Sequence, residues 1–136
     1  MSAQSDAELR EIIGLNPIAV VGCSRTPGKA AHDVPRYMHE NGYDVIPVNP
    51  HAEEIFGRRP YDSVANVETE IGMLNVFRPS EEVERIVDQV LARDDVDAVW
   101  TQRGIRDDDA ARRVEDSGRT MVQDRCLKVQ HRRLVG

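Results

Sequence analysis

The sequence predicts an α/β fold: an open, mostly parallel sheet with helices on both faces. Three observations predict it. A short unbroken apolar run occurs at Ile18 to Val21 and a further strand pattern at Met73 to Phe77, amphipathic helical periods lie between such runs, and the two patterns alternate along 136 residues. Runs this short read as strands covered on both sides, as in a parallel sheet. Strand–helix alternation then implies right-handed crossovers. The length fits a single domain, residues 1–136, around one core.

A short amphipathic helix comes first. Ser5 and Glu8 have capping-box spacing, Leu9, Ile12 and Ile13 share a face, and Gly14 stops the helix. Ile18 to Val21 is the first strand, running into the loop Gly22-Cys23-Ser24-Arg25-Thr26-Pro27-Gly28-Lys29. A helical pattern follows from about Val34, with Tyr37 and Met38 on its face, Pro35 in its first turn where no N–H is needed, and Asn41-Gly42 at its end. Tyr43 to Val48 is the second strand. Asn49-Pro50 closes it, and Pro47 within it marks an incompletely paired edge.

Residues 51–70 carry no long period; Glu54 to Gly57 reads as a short strand or turn, and Tyr61 to Val64 as a connection with one helical turn. From Met73 to Phe77 the strand pattern returns. Ser80 then caps a helix whose apolar positions Val83, Ile86, Val87, Val90 and Leu91 give the clearest helical period in the chain. Ala98 to Gln102 is a strand, Asp107 caps a helix through about Ser117-Gly118, Thr120 to Val122 is the last strand, and Leu127 to Leu134 is a closing helix.

A net charge of −6 excludes a general nucleic-acid binder, which needs a basic footprint to displace counterions. No run approaches bilayer-spanning length and the N-terminus lacks a signal-peptide pattern, so no membrane partner and a cytoplasmic location are expected. The Asp-rich, Lys-poor balance suits a high-salt cytoplasm and, equally, a GC-rich genome. Cys23 and Cys126, far apart in sequence, describe neither a disulfide scaffold nor a zinc site. His32, His39, His51 and His131 have no metal spacing and read as solvated or capping residues. The acidic runs Asp94-Asp95 and Asp107 to Asp109 read as solubility and capping devices, and Trp100 as core.

In an open α/β sheet, ligands bind beyond the carboxyl ends of the strands, where strand order reverses. Those ends hold Gly22 to Lys29, Asn49-Pro50, Phe77-Arg78-Pro79, Gln102-Arg103-Gly104 and Asp124-Arg125-Cys126. Their amides, hydroxyls and cations suit a phosphate-bearing ligand. Lys29 is one of only two lysines and falls beside the first loop. That loop is no dinucleotide fingerprint, because Ser24 stands where a second glycine is required, and Asn49-Pro50 replaces the acidic residue that would bind a ribose.

These strand ends resemble a family of small single-domain CoA-binding proteins of Rossmann-like fold, related to the CoA-binding domain of succinyl-CoA synthetase α-subunits and of NDP-forming acyl-CoA synthetases. The resemblance runs from about Leu9 to Leu134. It rests on Val20-Val21-Gly22-Cys23-Ser24-Arg25 with Pro27 and Lys29, Gly42-Tyr43 leading to Ile46-Pro47-Val48-Asn49-Pro50, Phe77-Arg78-Pro79, Trp100 with Gln102 and Gly104, and Asp124 to Lys128. It implies coenzyme A, free or acylated, with its nucleotide end at Gly22, Ser24, Arg25 and Lys29, and with Asn49, Pro50, Phe77, Arg78 and Pro79 bordering adenine and ribose. Gln102 and Gly104 complete the expected binding set. A homodimer or a synthetase-like partner subunit is the implied assembly.

Two classes of function compete. One is a CoA-binding module without catalytic apparatus. The other is an enzyme, either a nicotinamide-dependent oxidoreductase or a thiol-dependent CoA disulfide enzyme with Cys126 as the redox thiol. The missing carboxylate and glycine disfavour the former enzyme, and the absence of a CxxC pair disfavours the latter, so binding is the expected function.

Overall fold

The computed structural model describes residues 4–136. Ile18–Val21 (β1) is buried at every position and pairs on one side with Val45–Val48 (β2) and on the other with Met73–Val76 (β3). Ala98–Thr101 (β4) and Thr120–Val122 (β5) continue the sheet, giving the order β2-β1-β3-β4-β5 with all strands parallel. The expected α/β fold is therefore present. The order in which strands are added reverses between β1 and β3, β2 lying on one side of β1 and β3 on the other.

Alternation along each strand feeds two cores. Asp6–Ile13 (α1), Ala30–Glu40 (α2) and Leu127–Leu134 (α5) cover the face carrying Ile18, Val20, Met73 and Trp100. Ser80–Leu91 (α3), Asp108–Asp116 (α4) and a 3-10 turn at Val64–Asn66 cover the face carrying Ala19, Val21, Leu74 and Val99. Trp100 is core, as expected, with its indole N–H donating to the Arg125 carbonyl at 2.9 Å. Ser5 and Glu8 form the anticipated capping box, and Asp107 caps α4 through the Ala110 amide. Among the described residues no helix is long and apolar enough to cross a membrane.

Several local expectations are corrected. α2 begins at Ala30 rather than near Val34, so Pro35 lies beyond the first turn, in the helix interior. A proline there deprives the carbonyl of Ala31 of its intrahelical donor. The amide of Ser24 takes that carbonyl instead, at 2.9 Å, tying the β1–α2 loop to the helix it precedes. Ser80 is not the cap of α3; Pro79 holds that position, and the Ser80 hydroxyl accepts from the Arg106 amide at 2.9 Å. Asp95 is no solubility device. It accepts two bonds from the Arg93 guanidinium and one from the Ile71 amide, and Arg93 also donates to the carbonyls of Val64, Val67 and Thr69, fastening the irregular 3-10 segment.

His32 and His131 are buried rather than solvated: His32 Nδ1 lies 2.8 Å from the Ser24 carbonyl, and His131 Nδ1 lies 2.7 Å from the Tyr37 hydroxyl. Glu54 to Gly57 is a turn closed by Ile55 and Arg58, with Phe56 and Gly57 both at positive φ.

Both margins of the sheet carry hydrogen bonds from outside it. On β2, the outward carbonyl of Val45 accepts from Arg58, that of Pro47 accepts from the Tyr61 amide, and the Asn49 amide donates to the Tyr61 carbonyl. Pro47 has no N–H to offer. On β5, the Met121 carbonyl accepts from the Gln4 side chain at 2.9 Å.

Candidate functional site

A crevice of about 390 Å³ opens at the carboxyl ends of β1 and β2, roofed by α3 and the 3-10 turn. It lies at the reversal of strand order, where the strand-end rule places ligands. Gly22, Asn49, Pro50 and Arg78 line it, so four of the expected site residues come together. Val21, Val48, Val64 and Ile86 supply an apolar floor, and Ser63, Glu82, Arg85 and Gln89 a polar rim.

Gly22 is required by close approach. Its φ is 81°, and a Cβ there would stand 2.8 Å from the Arg78 Cδ, so the arginine stem crosses directly over the glycine. The Gly22 amide donates to the Val48 carbonyl and the Phe77 amide to the Val21 carbonyl, which continues the pairing of β1 into the crevice wall. Asn49 is held at both ends of its amide: Nδ2 donates to the Cys23 carbonyl at 2.9 Å, and Oδ1 accepts from the His51 amide at 2.7 Å. It staples the end of β2 to the loop after β1.

Ser24, Arg25 and Lys29 lie along that loop and do not line the crevice itself. Every polar group of Ser24 is engaged in shaping the loop. Its amide bonds Ala31, its hydroxyl accepts from the Thr26 amide at 3.0 Å, and its carbonyl meets His32. Arg25 and Lys29 are exposed. Lys29 is the N-cap residue of α2 without a side-chain capping bond, so the helix presents its N-terminal amides and partial positive charge beside two cations.

Phe77 turns away from the crevice and packs against the α1/α2/α5 core, while Pro79 is exposed as the N-cap of α3. Gln102 and Gly104 sit at the end of β4 and do not line the crevice. Gln102 is buried, its side-chain oxygen accepting from the Leu127 amide, and the Gly104 amide donates to Asp124 at 2.6 Å.

Cys23 is fully buried, and desolvation pushes its thiol up to about 12. Cys126 is half-buried at the N-cap of α5, and both thiols are free. Three strand spacings separate β1 from β5, or roughly 14 Å at 4.8 Å each.

Sequence reasoning missed the polar rim. Glu82, Arg85 and Gln89 were available in principle, since they flank the buried stripe of α3 at helical spacing and that helix starts at a strand end. Ser63, Asp62 and His51 come from the segment without a period, and nothing in the local pattern marks them.

A family model described as CoA binding domain matches residues 16–132. The uncharacterized protein YneT of Bacillus subtilis (strain 168) is 36% identical over 132 residues, covering 96% of this chain and 97% of that one. The structure of a hypothetical protein from Pyrococcus horikoshii OT3 superposes with a TM-score of 0.93 at 34% identity, covering 98% of this chain and 94% of that one. An ADP-forming acetate–CoA ligase of Methanocaldococcus jannaschii is 30% identical over 84 residues, which is 62% of this chain and 12% of the ligase.

Proposed function

Because this chain belongs to the CoA binding domain family, we propose that it is a single-domain module that holds CoA or an acyl-CoA at the carboxyl ends of β1, β2 and β3 and carries no catalytic apparatus of its own. The observation that supports this most is the crevice at the reversal of strand order, where Gly22, Asn49, Pro50 and Arg78 meet.

The residues present fit the ligand's chemistry. Phosphates are matched by exposed Arg25 and Lys29, by the N-terminal amides of α2, and by the loop that Gly22 and Ser24 shape. The apolar floor of Val21, Val48 and Ile86, with Pro50 at its rim, suits a nucleobase, with Arg78 bounding it, Pro79 leading from Arg78 into α3, and Phe77 fixing the strand end from behind. Gln102 and Gly104, at the next strand end, border the remaining length of the ligand in this reading.

The alternatives fare worse. A nicotinamide enzyme wants a free acceptor at the end of β2 for the ribose hydroxyls, and both polar ends of the Asn49 side chain are bonded within the protein. A disulfide enzyme wants an accessible thiolate, whereas Cys23 is buried with a raised pKa; half-buried Cys126 carries that reading alone.

Calorimetry and thermal unfolding with CoA test the proposal. A ligand at 100 times its dissociation constant should stabilise the fold by about 2.7 kcal/mol. No heat and no stabilisation at millimolar CoA would overturn it, and saturable NADH binding displaced by NAD would restore the oxidoreductase reading. Native mass spectrometry of the loaded protein would reveal the homodimer or synthetase-like partner that a carrier or sensor role calls for.

A further inference from the structure

Arg78 does not present a free charge to the crevice. Its Nε and one Nη donate to the two carboxylate oxygens of Glu82, in the first turn of α3, at 3.2 and 2.7 Å. The stem is fixed by its passage over Gly22 and the guanidinium by this fork, and both Arg78 and Glu82 line the crevice. The pair raises the pKa of the arginine and lowers that of the glutamate, each mainly through the mutual hydrogen bonds.

We propose that Glu82 is a specificity-determining positioning residue that acts as an internal counter-ion, so that an anion takes the two-pronged Nε/Nη edge of Arg78 only by exchanging with its carboxylate. This rests on the reading of the crevice as a phosphate-ligand site. The pair is partly exposed, at 47% for the Arg78 side chain and 31% for that of Glu82, and ion pairs so placed are weak enough to exchange. After exchange, the Glu82 carboxylate still lies beside the incoming anion and repels it. A group with several phosphate oxygens replaces the fork with equal or better charge-assisted bonds, whereas a single carboxylate gains nothing over the one it displaces. Glu82 therefore sets a charge threshold for entry, favouring phosphate-dense ligands over simple organic acids.

The test is a double-mutant cycle titrated with pyrophosphate and with CoA: wild type, Glu82→Gln, Arg78→Gln and the double variant, with melting temperatures recorded to verify folding. Glu82→Gln should bind pyrophosphate about 1.4- to fivefold more tightly, the range set by loss of one exposed ion pair, and should lose discrimination against acetate. That gain should vanish in the Arg78→Gln background. Unchanged or weaker binding by Glu82→Gln, or an equal gain with Arg78 absent, overturns the proposal. If the wild type binds pyrophosphate but not CoA, the CoA reading falls while the pyrophosphate cycle still decides the role of Glu82. If the wild type binds no pyrophosphate, binding gained by Glu82→Gln supports the role, and its continued absence overturns it.

Discussion

Lys29 holds the N-cap position of α2 with an exposed side chain that caps nothing. Removing it should leave the fold intact. Lys29→Ala is expected to melt with the wild type while losing about 1.5–3 kcal/mol of CoA affinity, the scale of a charge-assisted hydrogen bond; calorimetry of both proteins checks this, and equal affinities would assign Lys29 to the solvated surface. Asn49 shows what a residue-level reading can and cannot reach. Its identity marks the missing ribose acid directly from sequence, but its use as a two-ended staple between Cys23 and His51 depends on β1 and β2 being neighbours, which no local pattern states.

Among the elements, α3 was legible apart from its cap and α2 only in part. α3 carries its buried positions Val83, Ile86, Val87 and Val90 from the first turn, so period and boundary coincide. The first buried residue of α2 is its third, His32, and the exposed Ala30 gives no apolar signal, which moved the apparent start to Val34 and made Pro35 look like a first-turn residue. The true position has a consequence for binding. Pro35→Ala would supply an N–H for the Ala31 carbonyl that now holds the Ser24 amide, and alanine is a far better helix former in an interior position. The helix should gain and the loop should loosen. Hydrogen exchange of the Ser24 amide should accelerate and CoA affinity should fall, with no loss of thermal stability; a Ser24 amide as protected as before would refute the coupling. Residues 51–70 stayed opaque because long-range bonds organise them, from Arg93 to the carbonyls of Val64, Val67 and Thr69 and from Arg58 and Tyr61 to β2, and not a sequence period.

Across the whole molecule, the closing helix is tied down by a titratable joint. His131 on α5 is buried, its ring against Tyr37 and Tyr43, with the Lys128 ammonium over the Tyr37 ring at 5.4 Å. Burial holds its pKa below the ordinary 6.5. A depressed histidine favours the neutral fold, so its contribution is complete above 6.5 and is lost as pH falls through the lower folded value. Urea unfolding between pH 7.5 and 5 should show stability declining with acid, and His131→Gln should flatten that slope by up to about 1.4 kcal/mol per pH unit. An unchanged slope would place the acid sensitivity elsewhere. The strand–helix alternation made the layered architecture legible, since each apolar run had to be covered twice; the fastening of α5 to α2 was not, because His131 gives no period and its partner Tyr37 is distant in sequence.

The hydrogen bonds at the margins of the sheet bear on how copies of this chain can meet. Strand addition, whether in an ordered complex or as the seed of a fibril, needs a row of unanswered backbone groups. Here a newcomer at β2 would first have to dislodge Tyr61 and Arg58, and one at β5 would have to displace Gln4. Each of these contacts is a bond that strand addition would have to break before it could form its own, a cost set at the edges of the sheet and not at its helical faces.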